Sequence, residues 1–247
     1  MVVWIDLSGQ NARNKMPDRK NSPRVIGEGI AGVVAMASTI LLLPVTRLWY
    51  RKWGATDEEA QRSLPGDELV PHPKSEFTCA ITIQAPAAQV WPWLVQIGCQ
   101  RAGWYSYDLL DNQGVPSAER IMAEHQHLEV GDKVLLTADG KMGYPVAIIE
   151  PGRALVLSGT MNTRTGEQVD PNDPNLENYF GGANIFFVYE LDERTTRLII
   201  RQRLGWSPSL LMTLIYRAFL EPISFVMARK TLLGIKQRAE AASQVAD

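Results

Sequence analysis

From Gly29 to Thr46 the chain runs 18 residues without a charge, between Glu28 and Arg47. Such a run must be covered by protein or by lipid, because water does not tolerate so continuous an apolar surface. Coiled as a helix it spans roughly 27 Å, just short of the ~30 Å hydrocarbon layer of a bilayer. Glu28 and Arg47 extend its reach toward the headgroups, and Trp49 and Tyr50 supply an interfacial aromatic anchor. The expectation is a single-pass transmembrane helix over 25–48. Two alternatives compete with it. A cleaved signal peptide would use the small-residue site Ala35-Met-Ala37 and leave Ile40-Leu-Leu-Leu43 near a new terminus. A peripheral or core-packed helix would exploit Gly27, Ala31 and Ala35, a small-residue stripe that plain abundance of Gly and Ala also explains.

The averages hide this segment. With 45% hydrophobic and 21% charged residues, a formal charge of −2 and a mean hydropathy of −0.12, the 247-residue chain looks soluble. That charge excludes a global basic field of the kind that binds nucleic acid. Cys79 and Cys99 build no disulfide framework, and no zinc-ligand spacing exists. Residues 1–24 form a basic polar tail carrying Arg13, Lys15, Arg19, Lys20 and Arg24. Five basic residues before the segment against three after it (Arg47, Arg51, Lys52) favour a cytoplasmic N-terminus in the cell membrane.

Residues 49–74 read as a juxtamembrane helix and proline linker. Thr56 and Glu59 have capping-box spacing, Pro65-Gly66 stops the helix, and Val70-Pro-His-Pro-Lys74 is extended. The soluble domain is expected over 75–242, with a tail at 243–247. Phe77, Cys79, Ile81 and Ile83 alternate with Thr78, Ala80 and Thr82, which predicts a strand. A short helix carrying Pro92 follows over 87–97, then a turn-rich element over 103–112. Strands are expected at 133–137, 146–150, 154–158, 184–191 and 196–204, with a polar insertion over 160–183. A helix capped by Ser207 runs from there to about Ala242, kinked at Pro222. Its half Leu210–Ala228 is apolar almost all round, with Arg217 and Glu221 its only charges, so something besides a sheet must cover it. A charged pair and a proline in mid-run argue against a second span.

This order is α+β, with a sheet free to curl around the last helix and leave a cavity. Ile81-Thr-Ile-Gln-Ala-Pro86, Val90-Trp-Pro-Trp-Leu-Val-Gln-Ile-Gly98, Ala102-Gly-Trp-Tyr-Ser-Tyr-Asp-Leu-Leu-Asp-Asn112 and Met227-Ala-Arg-Lys-Thr-Leu-Leu-Gly-Ile-Lys-Gln-Arg-Ala-Glu240 resemble bacterial members of the SRPBCC superfamily, here in a membrane-anchored form. The resemblance covers about 53–240. It implies a START-like helix-grip fold: a curved antiparallel sheet wrapped around a long C-terminal helix, with a hydrophobic-ligand cavity between them. The superfamily includes lipid carriers, hormone binders and polyketide cyclase/dehydrase-like proteins, so the fold does not select among activities.

The densest aromatic group, Trp91, Trp93, Trp104, Tyr105 and Tyr107, either walls the cavity or packs the core. Arg201 would attract an acidic ligand group if its strand face lines the cavity, and means little if it faces solvent. Asp108, with Asp111, Glu119 and Arg120, offers an acid/base group or a salt-bridged turn. His125 and His127 lack a third metal ligand, and Asp170, Asn172 and Asp173 lack the glycine turn of a calcium loop. No metal, no cofactor and no nucleic acid are expected. The expected partners are a hydrophobic small molecule and the lipid bilayer. Binding or transfer of that molecule is the first functional reading; a cyclase/dehydratase acting on a polyketide-like or lipid substrate, and a membrane-associated interaction protein, are the others.

Overall fold

The computed structural model describes residues 22–137, 139–140, 142–171, 173 and 175–246. The basic positions Arg13, Lys15, Arg19 and Lys20, and Asn172, lie outside the described residues.

The alternation read at residues 77–83 sorts both faces of a six-stranded antiparallel sheet. Its strands β1 (Ser75–Ile83), β2 (Lys133–Leu135), β3 (Gly143–Glu150), β4 (Ala154–Asn162), β5 (Tyr179–Asp192) and β6 (Thr195–Trp206) lie in the order β1-β6-β5-β4-β3-β2. Phe77, Cys79 and Ile83 join Leu155, Leu157, Phe186, Val188, Leu198 and Ile200 in the larger core. Ala80, Ala154, Val156, Ala183, Ile185, Phe187 and Ile199 form a second core on the opposite face. Register enforces the sorting: Thr78 stands opposite Arg201, and Phe77 opposite Gln202. Strands β4 and β5 extend into the expected 160–183 insertion, where Asn162 pairs with Tyr179.

The second core exists because the segment before β1 covers the sheet. In α3 (Asp57–Gln61) the Thr56 hydroxyl accepts from the Glu59 amide and the Glu59 carboxylate accepts from the Thr56 amide, a complete capping box. Glu59 also accepts from Arg197 Nε at 2.6 Å and from the Tyr189 hydroxyl at 2.8 Å. Burial alone would raise its pKa, but these bonds hold it down to about 2. Leu64 is buried in the same layer.

On the other face lies the terminal helix, in three parts. Ser209, not Ser207, caps α6 (Leu210–Ile215) by accepting from the Met212 amide. Ser207 instead remains at the strand edge, its hydroxyl accepting from the Tyr179 amide. A π-helical turn follows at Tyr216–Leu220, then α7 (Glu221–Ala246). Pro222 offers no amide to the carbonyl four residues back, and the expected kink takes the form of this wider turn. In α7, Phe225, Val226, Leu232, Ile235 and Ala239 are buried against the sheet and against α4 (Ala87–Val95).

The expected single helix over 25–48 is two helices. α1 (Pro23–Leu41) stops at Leu42, whose φ of −94° and ψ of 12° leave the helical basin, and α2 (Leu43–Tyr50) restarts with Pro44 in its first turn. Pro44 has no N–H for the Ile40 carbonyl, so the ladder breaks there. By length and composition, α1 and the helix over Leu210–Gln244 are the two among the described residues able to cross a membrane, and the first also has the position of a signal sequence. The stripe of Gly27, Ala31 and Ala35 does not dock as a unit: Ala35 packs on the larger core, but Ala31 is exposed and nothing lies near a Cβ built on Gly27. Gly29 and Gly32 dock instead, on Leu109 and Tyr107; a Cβ at Gly32 would sit 2.8 Å from the Tyr107 ring.

Glu221 fastens these helices to the domain. Its fully buried carboxylate accepts from Arg47 Nε at 3.1 Å, from the Tyr50 hydroxyl at 2.8 Å and from the Ser75 hydroxyl at 2.7 Å. Arg217, four residues before Glu221, donates instead to the Lys74 carbonyl. Tyr50 stacks on Phe225 at 5.1 Å between ring centroids. Because Glu28 faces Lys230 at 3.4 Å and Arg47 faces Glu221, α1–α2 runs antiparallel to α7.

Arg47→Met leaves a buried carboxylate without its cation. Denaturant unfolding of the detergent-held chain should show a loss of about 2 kcal/mol, the modest end for a pair whose arginine is about one-third exposed. Adding Glu221→Gln should recover part of that loss; strictly additive effects would mean that the pair is not coupled.

Candidate functional site

Between the inner sheet face and α7 lies a cavity of about 280 Å³. Strands β3, β5 and β6 contribute Tyr144, Phe180, Phe186, Ile200 and Leu204, and the helix contributes Leu220, Ile223, Met227 and Ala228. These side chains arrive there by parity: even-numbered positions of β5 and β6 face the helix. Such a wall gives an apolar guest what water withholds from it.

Its few polar groups are specific. On the sheet, the Gln202 amide donates to Asn184 Oδ1 at 2.8 Å, and the buried Gln202 Oε1 has no partner among the described residues. From α5 (Asp108–Asp111) comes Asp111, both of whose carboxylate oxygens are buried and lack a hydrogen-bond partner among the described residues. Burial, with a smaller contribution from the Asp108 charge, raises its pKa to about 8. Burial thus favours the protonated form of the Asp111 carboxyl. Thr231 and Ser106 also line the cavity, but their hydroxyls are occupied by the Trp104 and Met227 carbonyls.

The aromatic group singled out in the sequence divides. Trp104 lines the cavity, with its indole N–H donating to the Leu135 carbonyl at 3.2 Å. Trp93 and Tyr105 meet edge to face at 5.8 Å in the buried core, where the Tyr105 hydroxyl donates to the Trp93 carbonyl and accepts from Gln96. Trp91 packs on the same core half-buried, and Tyr107 lies under Gly32 of α1. These four do not line the cavity.

Asp108 and Arg201 also sit elsewhere. The Asp108 carboxylate accepts from the Ser117 amide at 3.0 Å and from the Ser117 hydroxyl at 2.5 Å, beside a polar cleft between α1 and α7 that includes Arg24, Glu28, Glu119 and Arg238. Burial raises its pKa and the serine bonds oppose the rise. Arg201 is on the outer sheet face, donating to Asp67, Thr78 and the carbonyls of Glu59, Ala60 and Arg62. It fastens the segment before β1 to the sheet.

Asn184 and Gln202 were not singled out in advance. The signal was present: in Leu198-Ile-Ile-Arg-Gln-Arg-Leu204 the even positions are apolar except for Gln202. A lone amide on an otherwise apolar face marks a wall that has something polar to hold.

No family model matches the chain, and no curated protein matches its sequence. Several solved structures align with it. A protein of Mesorhizobium loti shares 14% identity over 68% of this chain and 98% of its own, with a TM-score of 0.38. The Zhui aromatase/cyclase of a Streptomyces species shares 13% over 70% and 97%, with a TM-score of 0.34. A conserved protein of Geobacillus kaustophilus shares 10% over 68% and 97%, with a TM-score of 0.38. At such identities and scores these likenesses carry no activity over to this chain.

Asp111 governs a measurable pH dependence. Its carboxyl is neutral in the fold up to about pH 8 but ionises near 3.8 in the unfolded chain, so its contribution to stability is complete below pH 4 and is lost as pH rises toward 8. Asp111→Asn should flatten that slope and melt roughly 5 °C higher than the parent at pH 7 by thermal scanning. An unchanged slope would mean that Asp111 is ionised or solvated in the native state.

Proposed function

We propose that this protein is a membrane-anchored helix-grip protein of the SRPBCC type that binds or transfers a hydrophobic small molecule. The observation that carries the reading is the apolar cavity between the sheet and α7. Its position relative to the exposed apolar surface supports the membrane part. Because α1–α2 runs antiparallel to α7, the α1–α2 joint and α6 lie toward the same end of the molecule. Leu41 (80% exposed), Val45 and Leu48 on one side and Leu210 (91% exposed), Leu211 and Leu214 on the other give that end an apolar surface. Lipid covers such a surface without cost, and Trp49 with Arg47, Arg51 and Lys52 suits the headgroup layer. The cavity reaches toward the same end: Leu220 lines it while the adjacent Phe219 is exposed. A guest would pass between bilayer and cavity over a short apolar path.

A second reading, a cyclase/dehydratase-type enzyme in the same cavity, is favoured by one observation: Asp111 is among the cavity-lining residues, and burial raises its carboxyl to about 8. It requires Asp111→Asn to abolish turnover while binding persists.

The test uses the full chain held in an amphipathic polymer and titrated with the neutral fluorophore N-phenylnaphthylamine. Saturable one-to-one binding is expected, weakened at least about tenfold by Ala228→Phe, which fills the cavity. In flotation with phosphatidylglycerol/phosphatidylcholine vesicles, Leu48→Asp with Leu214→Asp should lower membrane association and leave fluorophore affinity unchanged. Absence of saturable binding, or indifference to Ala228→Phe, would refute the cavity reading.

A further inference from the structure

The apolar helices before the sheet have two faces, and the domain uses only one. Val25, Gly29, Gly32, Met36, Leu43 and Tyr50 recur three, four or seven residues apart and form a seam against the domain. Glu28 faces Lys230 at 3.4 Å toward one end of that seam, and the buried Glu221 holds Arg47 and Tyr50 at the other. The outer side presents Ile30, Val33, Val34, Leu41, Val45 and Leu48, from 53% exposed at Val33 to 81% at Val45. With no charge between Glu28 and Arg47, this face is an aliphatic strip roughly 27 Å long. Water penalises such a strip, and a patch of this kind marks a surface for a partner or a membrane.

We propose that α1–α2 is an in-plane anchor, seated with its outer face in one leaflet of a bilayer, and not a span. A lone span has lipid on every side, whereas the seam side here is taken by α5 and by the charged helix α7. Lifting the helices away to cross a bilayer would strip Arg47 and Tyr50 from a fully buried carboxylate and uncover the bed beneath Gly29 and Gly32. While docked, α1–α2 offers lipid its outer side alone, and a helix wetted by lipid on one side lies along the interface. Charge fits the same occupant. Exposed Arg24 precedes the strip and exposed Arg51 and Lys52 follow it, cations placed for the phosphates that border acyl chains. Residues 1–21, with Arg13, Lys15, Arg19 and Lys20, suit those phosphates better than a bed of aliphatic side chains. This topology rests on the membrane part of the proposed function and is independent of what the cavity holds.

The experiment attaches a nitroxide to the full chain at Ile26→Cys, Val34→Cys or Val45→Cys, one at a time, on phosphatidylglycerol/phosphatidylcholine vesicles. Cys79 and Cys99 are buried, and the parent chain serves as the blank. Collision rates with oxygen and with a water-soluble nickel chelate give the depth of each label by electron paramagnetic resonance. All three labels should lie at one shallow depth, roughly 5–10 Å below the phosphates. Val34→Asp with Val45→Asp should weaken vesicle flotation at least about tenfold, with N-phenylnaphthylamine binding unchanged as the report of an intact fold. A label at Val34→Cys about 10 Å deeper than the other two is the signature of a span and would overturn the in-plane anchor while leaving membrane anchoring in place. Labels open to the nickel chelate on vesicles, or shielded from both reagents by a second copy or by residues 1–21, would overturn the membrane reading as well.

Discussion

One buried carboxylate organises the molecule. Glu221 opens the final helix and gathers Arg47 and Tyr50 from α2 and Ser75 from the first residue of the sheet. An unpaired carboxylate in that position would not be tolerated, so the three donors must arrive together or the helix cannot start there. Three segments far apart in sequence are thereby fixed to one point. The apolar α1–α2 segment becomes a part of the domain, lying along α7 with Gly29 and Gly32 pressed on Leu109 and Tyr107. That contact answers, in part, what covers the outer side of the terminal helix: α1 and α2 do. The uncovered remainder is α6 and the solvent side of α1–α2.

Both faces of the sheet are buried, and they do opposite work. The outer face is polar at its rim and tightly bonded, with Arg197 on Glu59 and with Arg201 and Arg203 on Asp67. The inner face is apolar and incompletely filled, which leaves the cavity. Burial on the inner side is what raises the Asp111 carboxyl.

Much of this was legible in the sequence, and the failures have physical causes. Alternation at Phe77–Ile83 correctly assigned the apolar side of β1, because parity needs no tertiary information. The same argument could not orient Arg201. Ile199 and Ile200 are both buried, since residues 53–70 cover the face that a linker would have left to water. Pro44 marked the break in the apolar helix, but hydropathy alone reads through a proline. Asp108 and Asp111 are indistinguishable by composition and spacing. They part because Ser117, nine residues beyond Asp108, captures the first, while the carboxylate of the second is buried with no hydrogen-bond partner among the described residues. Four of the five aromatic residues that looked like a cavity wall pack elsewhere, since large rings satisfy a core as readily as a binding site.

The account stands or falls on whether the space between sheet and terminal helix holds a guest. Native mass spectrometry of the full chain, released gently from detergent micelles, measures this directly. The account predicts a one-to-one adduct that extracts into organic solvent as an apolar molecule. A spectrum showing only the bare chain would contradict it.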